Sequence, residues 1–234
     1  MIAEIKNFIS LSDEVRLAQE KRKPIVALES TIITHGMPFP ENYYTAIESE
    51  RIVRNSGAVP ATVALIKGLI KIGLSREEIK NLANEKQVQK LSTSNLSMAV
   101  AKSQNGSTTV AATLAIAKLA NICVFATGGI GGAHRGSETN FDISADLEQL
   151  ARSPINVVCA GPKAILDIPK TVELLESLGV PLITYKYRNI PAFWSRDSGL
   201  VSPTIAKNVN EIVESYVIRT KLGLQAAQLI CNPI

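Results

Sequence analysis

Short apolar runs alternate with longer segments of mixed polarity along the chain. The apolar runs predict strands at 24–33, 59–66, 122–127, 156–160 and 181–185, and the last four residues resemble the end of another strand. Helical spacing and end signals predict helices at 12–22, 42–55, 75–82, 96–103, 108–119, 145–152, 164–178 and 209–222. Strands apolar on both faces that alternate with helices are typical of parallel sheets. We therefore expect an α/β protein with a three-layer α/β/α fold, a largely parallel (mixed) central sheet and one domain spanning 1–234.

Composition places the chain among ordinary globular proteins. Of its 234 residues, 46% are hydrophobic and 20% are charged, which excludes disordered and collagen-like classes. The 25 Lys and Arg exceed the 21 Asp and Glu by only four and form no long basic stripe, so we expect no nucleic-acid partner. No apolar run has the length of a membrane span, and no signal-peptide pattern is evident. We expect a cytoplasmic protein without a membrane partner.

The cysteines and histidines do not follow a zinc-binding pattern. Cys123, Cys159 and Cys231 each stand alone in an apolar run, and the only histidines are His35 and His134. We expect three reduced, buried thiols.

Glu29 is the first candidate for chemistry, because a carboxylate interrupts the apolar residues of the first predicted strand. It either faces water from an edge strand or is a general acid/base with a raised pKa.

A glycine-rich segment, 127–136, follows the strand predicted at 122–127. It matches neither the dinucleotide-binding fingerprint nor the P-loop. A strained turn and a ligand-binding loop remain equal interpretations of it.

The segment 140–146 combines polar residues with the start of a predicted helix. Ser144 is a plausible N-cap, and Asp146 in the first turn complements the helix dipole. A purely structural cap is the default interpretation. Asp142, which precedes the cap, is better placed to bind a hard cation.

Lys163 and the segment 105–110 are two further candidates. Lys163 lies between apolar residues where a strand passes into a helix, so its amine is either a nucleophile with a lowered pKa or simply reaches into water. The segment Asn105–Val110 opens an alanine-rich helix, and its N–H groups either bind a phosphate or are capped without a ligand.

Several of these segments together resemble the pseudouridine-5′-phosphate glycosidase family, also called the indigoidine synthase A-like family. The resemblance covers the chain from about Pro24 to Ile234. The segments that carry it are Ala27–Pro40, Asn105–Val110, Phe125–Gly132, His134–Gly136, Phe141–Leu147 and Cys159–Asp167.

The resemblance implies reversible cleavage of the C–C glycosidic bond of pseudouridine 5′-phosphate to uracil and ribose 5-phosphate. It also implies a divalent metal, typically Mn²⁺, and a homotrimer. Lys163 resembles the amine that forms an imine with the opened ribose, Glu29 the proton donor and Asp142 the metal ligand. The substrate-binding or pocket positions of the family correspond to Lys90, Thr109, Val110, Thr127, His134, Ser144, Ala145 and Asp146.

The chain departs from its relatives at two places. The stretch after Lys90, Leu91–Asn95, is less charged than in many relatives, and the relatives continue past Ile234. We therefore expect the family's C-terminal segment to be missing, with an inactive remnant that binds a phosphorylated sugar as the alternative to an enzyme.

Overall fold

The computed structural model describes residues 7–234. The chain divides into two compact units, Met1–Ala117 and Lys118–Ile234. The prediction that 1–234 forms one domain stays a prediction. No helix within residues 7–234 combines the length and the apolar character that crossing a membrane requires.

The described part of the first unit contains a mixed sheet. Its strands are β1 (Ile9–Leu11), β2 (Ile25–Leu28), β3 (Val59–Ile66), β4 (Leu69–Ile72), β5 (Gln89–Leu91) and β6 (Gly106–Thr108). The pairs β1–β4, β2–β3 and β5–β6 are parallel, whereas β3–β4 and β3–β6 are antiparallel. Six consecutive residues of β3, from Pro60 to Leu65, are buried, which agrees with the continuous apolar run in its sequence.

Helices surround these strands. They are α1 (Asp13–Glu20), α2 (Thr31–His35), α3 (Glu41–Asn55), α4 (Arg76–Asn84), α5 (Leu96–Ala101) and α6 (Val110–Leu119), the last of which crosses into the second unit. The helix predicted from residue 75 begins with a capping box, because Ser75 accepts from the Glu78 N–H and the Glu78 carboxylate accepts from the Ser75 N–H. Buried Asn42 fastens α2 to α4 by donating to the carbonyls of Ile33 and Ala83.

The second unit is built on five parallel strands. They are β7 (Val124–Ala126), β8 (Asn156–Cys159), β9 (Leu182–Tyr185), β10 (Thr204–Ala206) and β11 (Gln228–Cys231), in the order β7-β8-β11-β9-β10. Its helices are α7 (Ser137–Asn140), α8 (Ala145–Ala151), α9 (Ile168–Ser177) and α10 (Val209–Lys221). The predicted α/β class with a largely parallel, mixed sheet is confirmed.

Several predicted segments differ from the structure by two or more residues at one end, and three of these differences have a clear cause. The first strand ends at Leu28 instead of residue 33, because Ser30 and Thr31 direct their hydroxyls to main-chain carbonyls and the chain turns into α2. The helix predicted from residue 108 begins at Val110, since 106–108 form β6. The helix predicted from residue 164 begins at Ile168, where Asp167 caps the first turn by accepting from the Lys170 N–H.

One of the three thiols also differs from the prediction. Cys159 and Cys231 are buried as expected, whereas Cys123 is exposed. It lies directly before β7, which begins at Val124.

Candidate functional site

Three loops of the second unit are joined by main-chain hydrogen bonds beyond the carboxyl ends of β7 and β8. The Ile130 N–H donates to the carbonyl of Gly161 (3.2 Å), and the Lys163 N–H donates to the carbonyl of Ile130 (3.1 Å). On the other side of the glycine-rich loop, the Ser144 N–H donates to the carbonyl of Gly132 (3.0 Å). The structure therefore brings the loops 127–136, 140–146 and 160–167 together, at the sheet edge where open α/β folds bind ligands.

The glycines of the segment 127–132 allow this close packing. A Cβ atom on Gly128 would lie 2.8 Å from the Phe193 ring, and one on Gly131 would lie 2.3 Å from Ser144 Oγ. The four glycines at 128, 129, 131 and 132 are all described, and none of them has a positive φ. Close approach of neighbouring segments, not a strained turn, is the reason for glycine here.

Lys163 lies half-buried in the loop after β8. Its backbone is fixed on both sides, since its N–H donates to Ile130 and its carbonyl accepts from the Leu166 N–H (3.0 Å). Two residues earlier, Gly161 has a φ of +98°, and a Cβ atom there would lie 2.0 Å from the Pro191 carbonyl oxygen. The main chain thus holds the amine on a defined loop, two residues beyond a glycine that cannot be replaced without strain.

Asp142 and His134 form a polar pair on the adjoining loops. The Asp142 Oδ2 and the His134 Nδ1 are 3.9 Å apart, and the two side chains are 61% and 39% exposed. The His134 N–H donates to the Asp142 carbonyl (3.0 Å), which fixes the spacing between the two backbones.

The metal expectation can be tested against the donors in this region. Within residues 7–234, no group of three or more His, Cys, Asp or Glu side chains is arranged to hold a metal ion. Asp142 supplies an exposed carboxylate, a hard oxygen donor that suits a mainly hydrated Mn²⁺ or Mg²⁺ ion. The donors therefore fit one protein ligand with water completing the shell.

The segment Ser144–Asp146 forms the predicted N-terminus of α8. Ser144 Oγ accepts from the Asp146 N–H (3.2 Å), which confirms the N-cap. Asp146 is only 6% exposed, and its Oδ2 accepts from the Gly131 N–H (2.8 Å). This carboxylate therefore also holds the glycine-rich loop, a role that the sequence pattern did not indicate. Ala145, between them, is exposed.

Thr127 opens the glycine-rich loop. Its N–H donates to the Val158 carbonyl (3.0 Å), which extends the pairing of β7 with β8, and the residue is partly buried. The structure thus gathers seven of the predicted residues on joined loops of the second unit: Thr127, His134, Asp142, Ser144, Ala145, Asp146 and Lys163.

The first unit carries the other predicted residues at the ends of β2, β5 and β6. Glu29 follows β2 directly and is partly buried. Its neighbour Ser30 donates to the Val63 carbonyl (2.6 Å) and accepts from the Thr108 N–H (2.8 Å), while Thr31 donates to the Thr108 carbonyl (2.8 Å). These bonds fasten the backbone around Glu29 to the end of β6.

Lys90, Thr109 and Val110 lie on or next to the pair β5–β6. Lys90 is exposed on β5, in register with Ser107 of β6. The Thr109 N–H donates to the Leu91 carbonyl (2.9 Å), and Val110 begins α6. A helix N-terminus next to a lysine is an arrangement suited to a phosphate group. After β5, Asn95 holds the turn by accepting from the Ser92 N–H and donating to the Lys90 carbonyl.

Sequence reasoning missed three groups of side chains that support these loops. Thr171 of α9 donates to the Asp167 carbonyl and accepts from the Ala133 N–H, and Phe193 covers Gly128. A hydroxyl and imidazole cluster of Thr34, His35 and Ser107 adjoins Lys90. Only the adjacent aromatic residues 193 and 194 gave any signal in the sequence; the other contacts depend on long-range folding.

Comparison with known proteins gives a consistent result. The model of the family described as indigoidine synthase A like protein matches residues 14–234. The pseudouridine-5′-phosphate glycosidase of Paracoccus denitrificans (strain Pd 1222) is 54% identical over 228 residues, covering 97% of this chain and 75% of that protein. The Escherichia coli (strain K12) protein of the same name is 52% identical over 227 residues, covering 97% and 73%.

Two solved structures share the fold. An indigoidine synthase A-like protein from Thermotoga maritima has a TM-score of 0.89 at 32% identity, covering 97% of this chain and 74% of that one. The prealnumycin C-glycosynthase AlnA in complex with ribulose 5-phosphate has a TM-score of 0.90 at 36% identity, with the same coverage. Since sequence and structure agree over nearly all of its residues, the chain belongs to the indigoidine synthase A-like family.

Proposed function

We propose that this protein is a pseudouridine-5′-phosphate glycosidase, which uses water to cleave pseudouridine 5′-phosphate into uracil and ribose 5-phosphate. The observation that carries the proposal is the 54% identity, over 97% of the chain, with a curated relative of that name. The joined loops around Lys163 are a second support, because they hold an amine on a fixed backbone at the ligand-binding edge of a sheet.

The C–C bond decides the kind of mechanism. Carbon 5 of uracil is a poor leaving group, so two carboxylates that stabilise an oxocarbenium ion are not sufficient. We assign the nucleophile to Lys163: its neutral amine bonds to C1′ as the bond between C1′ and the ring oxygen breaks, and the ring oxygen becomes a hydroxyl by taking up the proton that the new ammonium group loses. The nitrogen lone pair then forms the iminium as the C1′–C5 bond breaks, and the bonding pair goes to C5.

Glu29 is assigned the proton transfer. In the cleavage direction, its carboxylic acid protonates C5 of uracil as the C–C bond breaks. Water then hydrolyses the iminium, which releases ribose 5-phosphate and regenerates the amine. The position of Glu29 supports this role, since it directly follows β2, is partly buried, and lies on a backbone fastened by the hydrogen bonds of Ser30 and Thr31.

The substrate contacts divide by chemistry. We assign the phosphate to Lys90 and the N–H groups around Thr109 and Val110, which provide a charge and a helix N-terminus. We assign contacts with the rest of the substrate to Thr127, His134 and the segment Ser144–Asp146. Asp142 would hold Mn²⁺, which when bound supplies positive charge that orients and polarises oxygen atoms of the substrate.

We also propose the assembly and the reaction class that the resemblance implies. The protein is a homotrimer, so light scattering should give three times the 25.2 kDa chain mass. The reverse reaction, joining uracil to ribose 5-phosphate with loss of water, places the enzyme among the carbon–oxygen lyases.

Uracil release tests the function. The purified protein with pseudouridine 5′-phosphate and Mn²⁺ should release uracil, and Lys163→Ala should not. Calorimetry with ribose 5-phosphate is run in parallel, because the alternative is a non-catalytic protein that binds a phosphorylated sugar. Binding without release would favour that alternative, which the high identity over 97% of the chain does not favour. Absence of both would contradict both functions.

A further inference from the structure

His35 lies at the end of α2 within a cluster that adjoins Lys90. The parallel pair β5–β6 places Lys90 in register with Ser107, so the two side chains share one face of the pair. Ser107 Oγ is 3.4 Å from His35 Nδ1 and 2.6 Å from Thr34 Oγ1. Ser107 is fully buried. Its hydroxyl connects the imidazole on α2 to β6, the strand that pairs with the strand of Lys90.

The hydrogen bonds in this cluster determine which ring nitrogen of His35 accepts a proton. Thr34 Oγ1 donates its hydrogen to Ser107 Oγ, so at 2.5 Å it can only accept from His35 Nδ1. Nδ1 therefore carries the hydrogen in the neutral ring. Nε2 is the nitrogen that titrates, and it makes no hydrogen bond to any of the residues 7–234.

The charges around His35 are unbalanced. Partial burial and then the ammonium group of Lys90 lower the pKa of His35 below its ordinary value of 6.5. The helices packed against α2 carry charged side chains of both signs: Glu41, Glu48, Glu50, Arg51 and Arg54 on α3, and Arg76, Glu77, Glu78 and Lys80 on α4. The carboxylates of Glu48, Glu50 and Glu78 are already paired with Arg51, Arg54 and Lys71. Among the described residues, Lys90 is the charged group that acts on His35.

We propose that His35 is a second basic group of the phosphate end of the substrate site, neutral in the empty protein and protonated when a phosphate dianion binds beside Lys90. The inference rests on the proposed function, which assigns Lys90 to the substrate. A dianion offsets the repulsion from Lys90 and accepts a hydrogen bond from the protonated Nε2. Binding therefore takes up a proton, and affinity for the dianion falls as pH rises from the pKa of His35 in the empty protein to its higher pKa in the complex.

Nuclear magnetic resonance can follow this proton directly, because the chain has only two histidines. The ring resonances of the wild-type protein are titrated alone and with saturating ribose 5-phosphate or inorganic phosphate, and His134→Gln assigns the two signals. The pKa of His35 should rise by about one unit, which corresponds to roughly tenfold tighter binding of the anion by the protonated form. A His35 titration that is the same with and without either anion overturns the proposal.

Two variants separate this role from a structural one. Lys90→Gln should raise the pKa of His35 in the empty protein, since it removes the neighbouring charge. His35→Gln should raise KM and remove this decline in affinity with rising pH while leaving kcat nearly unchanged. Uracil release with an unmoved His35 titration would refute only this inference. A shifted titration without uracil release would refute the proposed function and leave the anion site in place.

Discussion

At the residue scale, the support of Lys163 depends on a glycine that precedes it by two positions. Gly161 combines a φ of +98° with a backbone oxygen 2.0 Å from where a Cβ atom would be. Pro191 carries that oxygen, and its own carbonyl cannot move aside as a flexible side chain could. The loop that bears the amine is therefore shaped by close contact between two main-chain segments.

Gly161→Ala should destabilise the protein by about 3 kcal/mol or more, because backbone strain and a main-chain collision add up. Gly179→Ala is the matched control, since its φ is +70° and no atom lies within 4 Å of the added Cβ. That variant should cost only about 1–2 kcal/mol. Urea unfolding followed by circular dichroism measures both. Equal costs at the two positions would contradict the close contact at Gly161.

Lys163 itself can be tested chemically. Borohydride should trap ribose 5-phosphate on the wild-type protein as a reduced adduct, because it converts the imine to a stable amine, and Lys163→Ala should lose the adduct completely. Lys186→Ala serves as the control, since that lysine is exposed and lies over the Tyr185 ring. Mass spectrometry of the intact protein detects the adduct. Trapping that persists in Lys163→Ala would exclude this lysine as the nucleophile.

At the scale of the elements, α9 connects the glycine-rich loop to the loop that contains Lys163. Thr171, which is fully buried, accepts from the Ala133 N–H (3.0 Å) and donates to the Asp167 carbonyl (2.7 Å). A Cβ atom on Gly132 would lie 2.4 Å from the same hydroxyl. One side chain of a helix thus positions two loops.

Thr171→Val should lower the free energy of unfolding by about 1–3 kcal/mol, because it leaves the buried Ala133 N–H without an acceptor in a side chain of the same shape. Thr171→Ser keeps the hydroxyl and should lose only about 1 kcal/mol for the missing methyl group. Both variants are compared by urea unfolding and by uracil release. If Thr171→Ser lowered the free energy of unfolding as much as Thr171→Val, packing and not the hydrogen bond would explain the need for Thr171.

The elements also show how far the sequence alone could lead. The strand at 59–66 and the helices around 42–55 and 209–222 follow from local periodicity and capping signals, and the structure has them within a residue. The strands β5, β6 and β10 have three residues each and exist because neighbouring strands complete their hydrogen bonds. The turn into α2 depends on hydroxyl contacts with β3 and β6, which lie more than thirty residues away.

Only part of the candidate site could be predicted from the sequence. The N-cap at Ser144 was visible because capping is a local pattern, and its bond to the Asp146 N–H is observed. The bond of Asp146 to Gly131 and the contact of His35 with Ser107 join residues that are distant in the sequence. The roles of Glu29, Asp142 and Lys163 came from resemblance to a family and stay predictions.

At the scale of the whole molecule, both units carry carboxylates that are paired with basic groups. A hydrogen bond from Arg54 lowers the pKa of Glu14 in the first unit. In the second unit, Lys170 lowers the pKa of Glu138 through its side chain and that of Asp167 through its backbone N–H. The folded state therefore releases these protons more readily than the unfolded state does.

The sign of the pH dependence follows from these directions. A carboxylate with a lowered pKa in the folded protein stabilises it above the unfolded value, which is 4.5 for Glu and 3.8 for Asp, and this contribution is lost as pH falls through the folded value. His35 changes the stability in the same sense. Because its pKa is lowered in the folded protein, the unfolded state binds a proton first as pH falls below about 6.5, and the folded state loses stability. We expect a small loss of stability just below pH 7 and a larger one below about pH 5.

Urea unfolding midpoints at pH 7, 5.5 and 4 measure this dependence. They should fall in that order, and the fall below pH 5 should be smaller in 1 M salt than in 0.1 M salt, since salt screens exposed pairs. His35→Gln should remove the loss between pH 7 and 5.5 and keep the loss at pH 4. Arg54→Met should reduce the loss at pH 4, because without Arg54 only burial acts on Glu14, and burial raises its pKa. A midpoint that stays constant to pH 4 would show that these pairs do not distinguish the folded from the unfolded chain.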